Sequence, residues 1–152
     1  MYRATVSKPL EFTGPSPFFP GNVSMTVIKG CSGISFQDQN GIIDYDLSSL
    51  QGHQAKSTAR YLKLDNGAAK IRVAEHLLSA FHLAGVTDAL VICPKSQVPT
   101  CGSGIKQFYD ALHSNRVQLD VKKEIVRTVK SSEYRSQRNG IETLITVNPS
   151  NT

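Results

Sequence analysis

The sequence predicts an α+β domain in which a mostly antiparallel sheet packs on one face against two helices. Short apolar segments alternate with turn residues through the first part of the chain. Helical periodicity is confined to 73–84 and 104–113, and strand-like segments return after the second of these stretches. Strands that follow one another through hairpins, with few helices between them, are typical of an antiparallel α+β arrangement.

The N-terminal strands are marked by apolar alternation and by bounding turn residues. Expected strands lie at 10–12, 23–28, 34–36, 42–43, 60–64 and 69–73. A Gly/Pro-rich loop over 14–22 separates the first two strands. Asn40-Gly41 and the Asp-Asn-Gly run at 65–67 indicate hairpin turns.

Residues 73–84 change from strand spacing to helical spacing, which predicts an amphipathic helix ended by Gly85. Its inward residues are expected to be Val73, Leu77, Ala80, Phe81 and Ala84. A short apolar strand follows at 89–93. Ser103 is expected to cap a second helix over 104–113. The residues of that helix expected to face inward are Phe108, Ala111 and Leu112.

The C-terminal part is expected to complete a single domain that covers 1–147. Strands are predicted at 117–129 and 143–147, with the polar segment 131–140 as their connection. The tail at 148–152 is expected to fray.

Apolar residues spread widely around the first helix, at Ala74, Leu78, Phe81 and Leu83. A sheet covers one side of a helix layer, so part of this apolar surface is expected to be left over. A second copy, a partner or a further domain would then cover it.

Composition and charge exclude several classes of protein. The chain has 152 residues and a net charge of +5, but its Lys and Arg residues are dispersed and lack interleaved aromatic side chains. This favours a solvated basic face, and no nucleic-acid partner is expected; an RNA-associated domain is the weaker alternative. The odd cysteine count, without a CxxC pair, argues against a disulfide framework. With no signal-peptide core and no membrane-length apolar run, the chain is expected to be cytoplasmic.

Glu75-His76 at the start of the first helix is the main candidate for chemistry. An imidazole can bind zinc, and an adjacent carboxylate can take a proton from water. One histidine is not a zinc site, because catalytic zinc requires three protein ligands. The pair also lacks the HExxH pattern. Spacing alone therefore favours a surface or helix-end pair and leaves catalysis open.

The residues around this pair resemble a known family. The segment 70–80 is similar to the V-E-H-L-L-[SA]-A signature of the zinc-dependent UDP-3-O-acyl-N-acetylglucosamine deacetylases of lipid A biosynthesis. Further similar motifs follow in the family's order at 5–9, 33–36, 57–58, 85–89, 97–99 and 102–109. Over nearly its whole length, the chain resembles the N-terminal half of that family.

The resemblance implies an amide hydrolase whose two halves face each other through their helices. In that arrangement Glu75 is the general base and His76 is a ligand of a shared Zn²⁺. The family's other metal ligands and its catalytic histidine lie in the second half. The implied substrate is a UDP-sugar lipid, and the implied partner is a C-terminal-half protein or a second copy over the helical face. Ser57, Thr58 and His53 lie where the family contacts substrate.

Two positions depart from the family pattern. Phe19 replaces a loop histidine, and Cys101 replaces an aspartate. A following helix could lower the pKa of the Cys101 thiol, but an inert small replacement is favoured. These departures keep open an alternative function, a non-catalytic binding module or pseudoenzyme that forms a homodimer.

Overall fold

The computed structural model describes residues 2–45, 55–57, 61–122, 132–138 and 141–147. Side chains are described for 2–45 and 61–122. The chain divides into two units, one of which is Tyr2–Lys122. The other contains residues 123–152. The single-domain boundary at 147 stays a prediction.

The first unit holds the helices and most of the described strands. Its strands are β1 (Tyr2–Val6), β2 (Leu10–Pro15), β3 (Asn22–Lys29), β4 (Ile34–Asp38), β5 (Gly41–Tyr45), β6 (Ala55–Ser57), β7 (Leu62–Asp65), β8 (Lys70–Arg72), β9 (Ala89–Ile92) and β10 (Arg116–Lys122). Its helices are α1 (Glu75–Ala84) and α2 (Ile105–Ser114). The second unit contains β11 (Ser132–Arg138) and β12 (Ile141–Val147).

The main sheet has five strands in the order β2-β3-β9-β4-β5. Every neighbouring pair in it is antiparallel except β4 and β9. A second sheet, β6-β7-β8, and the β1-β10 ribbon are antiparallel throughout. The described residues thus confirm the predicted α+β class and its mostly antiparallel strands.

The core lies between the main sheet and the two helices. Four α1 residues at helical spacing are buried: Leu77, Ala80, Phe81 and Ala84. Phe108 and Leu112 of α2 are also buried, and the Phe108 ring meets Phe12 edge-on at 5.0 Å between centroids. Burial of one large apolar side chain contributes about 1.5–3 kcal/mol, so these contacts hold both helices to the sheet.

The C-terminal end of α1 lies where the sequence predicted it, whereas the starts of both helices differ from the prediction. Gly85 ends α1 at φ 66°, as predicted. Ser103 does not cap α2, because Gly104 occupies the N-cap at φ 59° without a side-chain hydrogen bond. Helix α1 begins at Glu75 because Val73 has a φ of 62°, which lies outside the right-handed helical region.

Several predicted boundaries are also corrected. The loop expected over 14–22 shrinks to 16–21, because Gly14 and Pro15 pair with the start of β3. The segment 131–140, expected as a connection, contains β11, which pairs with β12. Cross-strand hydrogen bonds supply the pairing that the polar residues of β11 did not indicate. Residues 123–130 and 148–152 lie outside the described part of the chain.

The leftover apolar surface of α1 is smaller than predicted. Ala74 and Phe81 are buried, because the sheet and α2 together cover a wide arc of the helix. Leu78 is half-buried, whereas Leu83 is 62% exposed. Leu83 is thus the broadly exposed member of the predicted set.

Asp88 is a buried polar anchor that joins three segments. Its carboxylate is fully buried and accepts hydrogen bonds from the Gly33 N–H at 2.7 Å and the Thr87 hydroxyl at 2.6 Å. The Arg3 guanidinium donates to both oxygens, with its Nε at 2.9 Å from Oδ2. This ties β1 and the turn before β4 to the start of β9.

Asp38 has a similar role at the other end of β4. It accepts hydrogen bonds from the backbone N–H groups of Asn40, Gly41 and Lys70 and from the Ser96 hydroxyl. Burial alone raises the pKa of Asp38, but these hydrogen bonds outweigh it and lower the pKa below 3.8. The β4–β5 hairpin is thereby held against β8.

Gly30 provides a test of the packing between β3 and β9. A Cβ at this position would lie 2.5 Å from the Ala89 nitrogen, which is backbone and cannot rotate away. We expect Gly30→Ala to lower the free energy of unfolding by about 1–3 kcal/mol in urea denaturation. A Cβ at Gly102 meets nothing within 4 Å. Gly102→Ala should therefore change the free energy of unfolding by less than about 0.5 kcal/mol. Equal effects would contradict this packing.

Candidate functional site

The start of α1 is fastened to the strand β7 through Leu62. The Leu62 N–H donates to Glu75 Oε2 at 3.0 Å. The Leu62 carbonyl accepts from the N–H groups of Val73 at 3.0 Å and Ala74 at 3.4 Å. The N-cap residue Ala74 makes no side-chain capping hydrogen bond. The half-buried Glu75 carboxylate is thus held in the first helical turn, where the helix dipole favours negative charge.

Backbone strain lies immediately before this carboxylate. Val73 has a φ of 62°, a region that β-branched residues rarely adopt. Such a conformation costs about 1–3 kcal/mol and persists where the surrounding structure enforces it. Here the two hydrogen bonds to the Leu62 carbonyl enforce it, and the bend turns the chain from β8 into α1. The position of Glu75 is therefore tightly determined.

His76 follows Glu75 and has an exposed side chain. Successive residues on a helix point about 100° apart, so His76 faces solvent while Glu75 faces Leu62. His82 and His113 are also exposed, and the His113 ring stacks on Tyr109 at 5.3 Å between centroids. The fold places the Glu75-His76 pair at an accessible helix start.

A metal site needs more donors than this helix start provides. Within 2–45 and 61–122, no group of three or more His, Cys, Asp or Glu side chains could hold a metal ion. Catalytic zinc takes three protein ligands. His76 fits as one nitrogen ligand, and a complete zinc site would need donors from outside these residues.

The predicted substrate-contact residues lie largely outside the described part. Ser57 ends β6, and its backbone pairs with Leu62 across the β6–β7 ladder. This register places the Ser57 backbone on the strand next to Leu62, the residue whose N–H holds the Glu75 carboxylate. Thr58 and His53 lie outside the described residues. The substrate roles of Ser57, Thr58 and His53 remain predictions.

A cluster of two aromatic rings and an arginine includes Tyr61, the neighbour of the Leu62 residue that holds Glu75. The Phe18 ring meets Tyr61 edge-on at 4.8 Å between centroids, and the Arg72 guanidinium carbon lies 5.7 Å from the centre of the Phe18 ring. Tyr61 directly precedes Leu62 in the chain. The sequence did not indicate this cluster, because no local spacing links Phe18 to Tyr61 or Arg72.

The loop that carries Phe18 is held by Ser16. The Ser16 hydroxyl accepts from the Phe18 N–H at 3.0 Å and the Phe19 N–H at 2.9 Å. It donates to Gln97 Oε1 at 2.9 Å. Gln97 is fully buried, and its Nε2 lacks a partner among the described residues. The Ser-Pro pair in a Gly/Pro-rich run was the available sequence signal for such a turn.

The cysteine chemistry considered from sequence does not fit the structure. Burial raises the pKa of the half-buried Cys101 thiol, which is opposite to the lowering considered as the less favoured interpretation. Helix α2 begins four residues later, at Ile105, which removes its N-terminus from the thiol. Burial and the nearby Asp38 charge raise the pKa of Cys93 to about 12. The inert interpretation of Cys101 is supported.

Thiol labelling checks this assignment. Cys31 is exposed, whereas Cys93 is buried and Cys101 partly so. We expect iodoacetamide to modify the folded chain mainly at Cys31, because the reactive species is the accessible thiolate. Cys31→Ser should remove most of the labelling seen by mass spectrometry, and Cys101→Ser should remove little. Labelling of Cys101 as fast as Cys31 would contradict the assignment.

Comparison with known proteins identifies the family. A family model described as LpxC, UDP-3-O-acyl N-acetylglycosamine deacetylase, matches residues 3–152. The chain belongs to this family. A curated UDP-3-O-acyl-N-acetylglucosamine deacetylase from Hydrogenovibrio crunogenus (strain DSM 25203 / XCL-2) is 24% identical over 148 residues. That alignment covers 93% of this chain and 48% of the relative. The chain therefore spans about half the length of that deacetylase.

The deacetylase family match confirms the resemblance predicted from the sequence, and it includes the Glu75-His76 segment. Among the described residues, no helix has the length and apolar character needed to cross a membrane.

Proposed function

We propose that this chain contributes one side of a zinc-dependent site that deacetylates UDP-3-O-acyl-N-acetylglucosamine in the cytoplasm, in lipid A biosynthesis. The proposal is carried by Glu75, a carboxylate held at an accessible helix start beside an exposed histidine. The family match over 3–152 supports this reaction class. Residues of a second half, in another chain or in further sequence, would complete the site.

Glu75 is the general base in this proposal. Its Oε2 is held by the Leu62 N–H, which leaves Oε1 to take a proton from the attacking water. The catalytic histidine implied for the second half would protonate the departing amine nitrogen, so that the amide bond breaks and acetate forms. The Leu62 hydrogen bond keeps the Glu75 carboxylate oriented while it takes the proton.

His76 is a metal ligand in this proposal, because its imidazole is exposed at the same helix start. When bound, zinc would act as a Lewis acid that polarises the acetamide carbonyl. Ser57, Thr58 and His53 are proposed to contact the substrate, and the register places the Ser57 backbone opposite Leu62.

Reconstitution tests the proposed activity. The chain is mixed with zinc and the C-terminal half of the Hydrogenovibrio relative, and acetate release from UDP-3-O-acyl-N-acetylglucosamine is measured. We expect acetate from the mixture and none from either half alone. A mixture that assembles, as shown by gel filtration, yet releases no acetate would rule out the half-enzyme.

A non-catalytic module that pairs with itself is the second candidate. The observation in its favour is Leu83, 62% exposed on the helix that carries His76. Light scattering at high protein concentration separates the two functions. A dimer that Leu83→Lys dissociates supports the module, whereas a monomer at all concentrations removes it.

A further inference from the structure

Arg72 is a partly buried cation for which the described residues provide no anionic partner. Its backbone is fixed on both sides, because its N–H donates to the Ser96 carbonyl and its carbonyl accepts from the Val98 N–H, each at 3.0 Å. Among the described residues, no carboxylate pairs with its guanidinium and no acceptor receives a hydrogen bond from it. Its guanidinium carbon lies 5.7 Å from the centre of the Phe18 ring. An arginine in such surroundings normally has a partner.

We propose that Arg72 and the neighbouring aromatic rings bind the nucleoside diphosphate part of the substrate. A guanidinium that lies over a ring keeps its N–H donors in its own plane, where they can bind phosphate oxygens in pairs. Phe18 and Phe19 are 41% and 40% exposed, so a nucleobase can reach a ring face. This inference rests on the proposed function for the identity of the nucleotide.

The loop that presents these rings is held by hydrogen bonds within the chain. Ser16 holds the N–H groups of Phe18 and Phe19 and is itself held by the buried Gln97. Tyr61 supports the Phe18 ring from the side. A preorganised loop loses little conformational entropy on binding, which favours affinity.

The distance to Glu75 fits the chemistry of the substrate. Arg72 precedes Glu75 by three residues, so their Cα atoms lie at most about 11 Å apart. In a UDP-N-acetylhexosamine, the diphosphate and the acetamide are attached to neighbouring sugar carbons. A group that binds the diphosphate must therefore lie close to the base that serves the acetamide.

The positive charge of Arg72 favours binding of the nucleotide, rather than the acyl chain, by this cluster. An acyl chain would cover the phenyl rings but leave the guanidinium unpaired and less hydrated, which is unfavourable. A nucleoside diphosphate satisfies both parts of the cluster, with its base on a ring and its phosphates on the guanidinium.

Titration of the full chain with UDP tests the subsite without requiring catalysis. We expect Arg72→Gln to weaken UDP binding about tenfold, since hydrogen bonds to charged groups contribute about that factor. Arg72→Lys should fall between this variant and the unmodified chain, because it keeps the charge and loses the planar fork. Phe18→Leu should weaken both UDP and uridine by about threefold to tenfold through lost stacking.

Arg116→Gln is the matched control. Arg116 donates to the Gly85 carbonyl at the far end of α1, about 15 Å along the helix from Glu75. This variant removes the same charge and should change UDP affinity by less than about twofold. Thermal unfolding of each variant establishes that it folds.

The outcomes separate this subsite from the proposed activity. No UDP binding by the unmodified chain, or equal weakening by Arg72→Gln and Arg116→Gln, would overturn the subsite even if the reconstituted mixture releases acetate. Arg72-dependent UDP binding supports the subsite even if no acetate is released. If Arg72→Gln does not fold, Arg72→Lys and Phe18→Leu decide by the same comparison with Arg116→Gln.

Discussion

Replacement of Glu75 by glutamine should lower the turnover of the reconstituted deacetylase by about 10²–10⁴, the usual contribution of a positioned general base. Glutamine keeps an oxygen that can accept the Leu62 N–H bond seen at 3.0 Å. The start of α1 should therefore stay in place. An amide cannot take the proton from water, so the loss should appear in kcat, with KM changed little.

The matched control for this variant is Glu11→Gln. Glu11 is an exposed glutamate on β2, and the substitution makes the same change of charge and shape there. Turnover should stay within about twofold of the unmodified mixture, because the control removes no group from the site. Turnover by Glu75→Gln at the level of Glu11→Gln would show that Glu75 is not the base.

Replacement of Asp88 by alanine should lower the free energy of unfolding by about 3 kcal/mol or more. Removal of one partner from a buried ion pair typically costs about 3–5 kcal/mol, because the remaining groups lose their partner away from water. Asp88 is fully buried, whereas the Arg3 side chain is 22% exposed. Because Arg3 is partly exposed, water can hydrate its guanidinium after the substitution. We therefore expect a loss of stability at the lower end of this range. Urea denaturation measures it.

A surface ion pair of this chain provides the control for Asp88→Ala. Lys106 and Asp110 pair across one turn of α2, with side chains 74% and 53% exposed. Asp110→Ala should cost less than about 0.5 kcal/mol, because exposed pairs contribute little. The double variant Arg3→Ala/Asp88→Ala should lose less than the sum of its two single variants. If Asp88→Ala lowers the free energy of unfolding no more than Asp110→Ala does, Asp88 is not a stabilising anchor.

The elements that the sequence predicted best are those set by neighbouring residues. The helical spacing before Gly85 and the Asp-Asn-Gly turn at 65–67 are local signals, and α1, β7 and β8 follow from them. The elements it missed depend on distant partners. The polar strand β11 is recognisable only through its pairing with β12. The cap of α2 is decided by the left-handed Gly104, so the favourable residue type of Ser103 was misleading.

The candidate site divides in the same way. Glu75 and His76 could be found from the resemblance, because the chemistry-bearing residues are adjacent in the chain. The Leu62 bond to Glu75 could not, since it joins residues 13 apart and depends on how β7 lies beside the helix start. The contacts of Phe18 with Tyr61 and Arg72 likewise require the loop 16–21 to be placed on the second sheet.

The zinc content of the reconstituted mixture tests most directly whether this chain supplies a metal ligand. His76 and His82 are both exposed on α1, so His76→Ala and His82→Ala are matched variants. Each is mixed with the C-terminal half, passed through gel filtration and analysed for zinc by mass spectrometry. We expect the His82→Ala mixture to retain zinc at the level of the unmodified mixture and the His76→Ala mixture to lose most of its zinc. Full zinc retention by the His76→Ala mixture would show that His76 is not a zinc ligand.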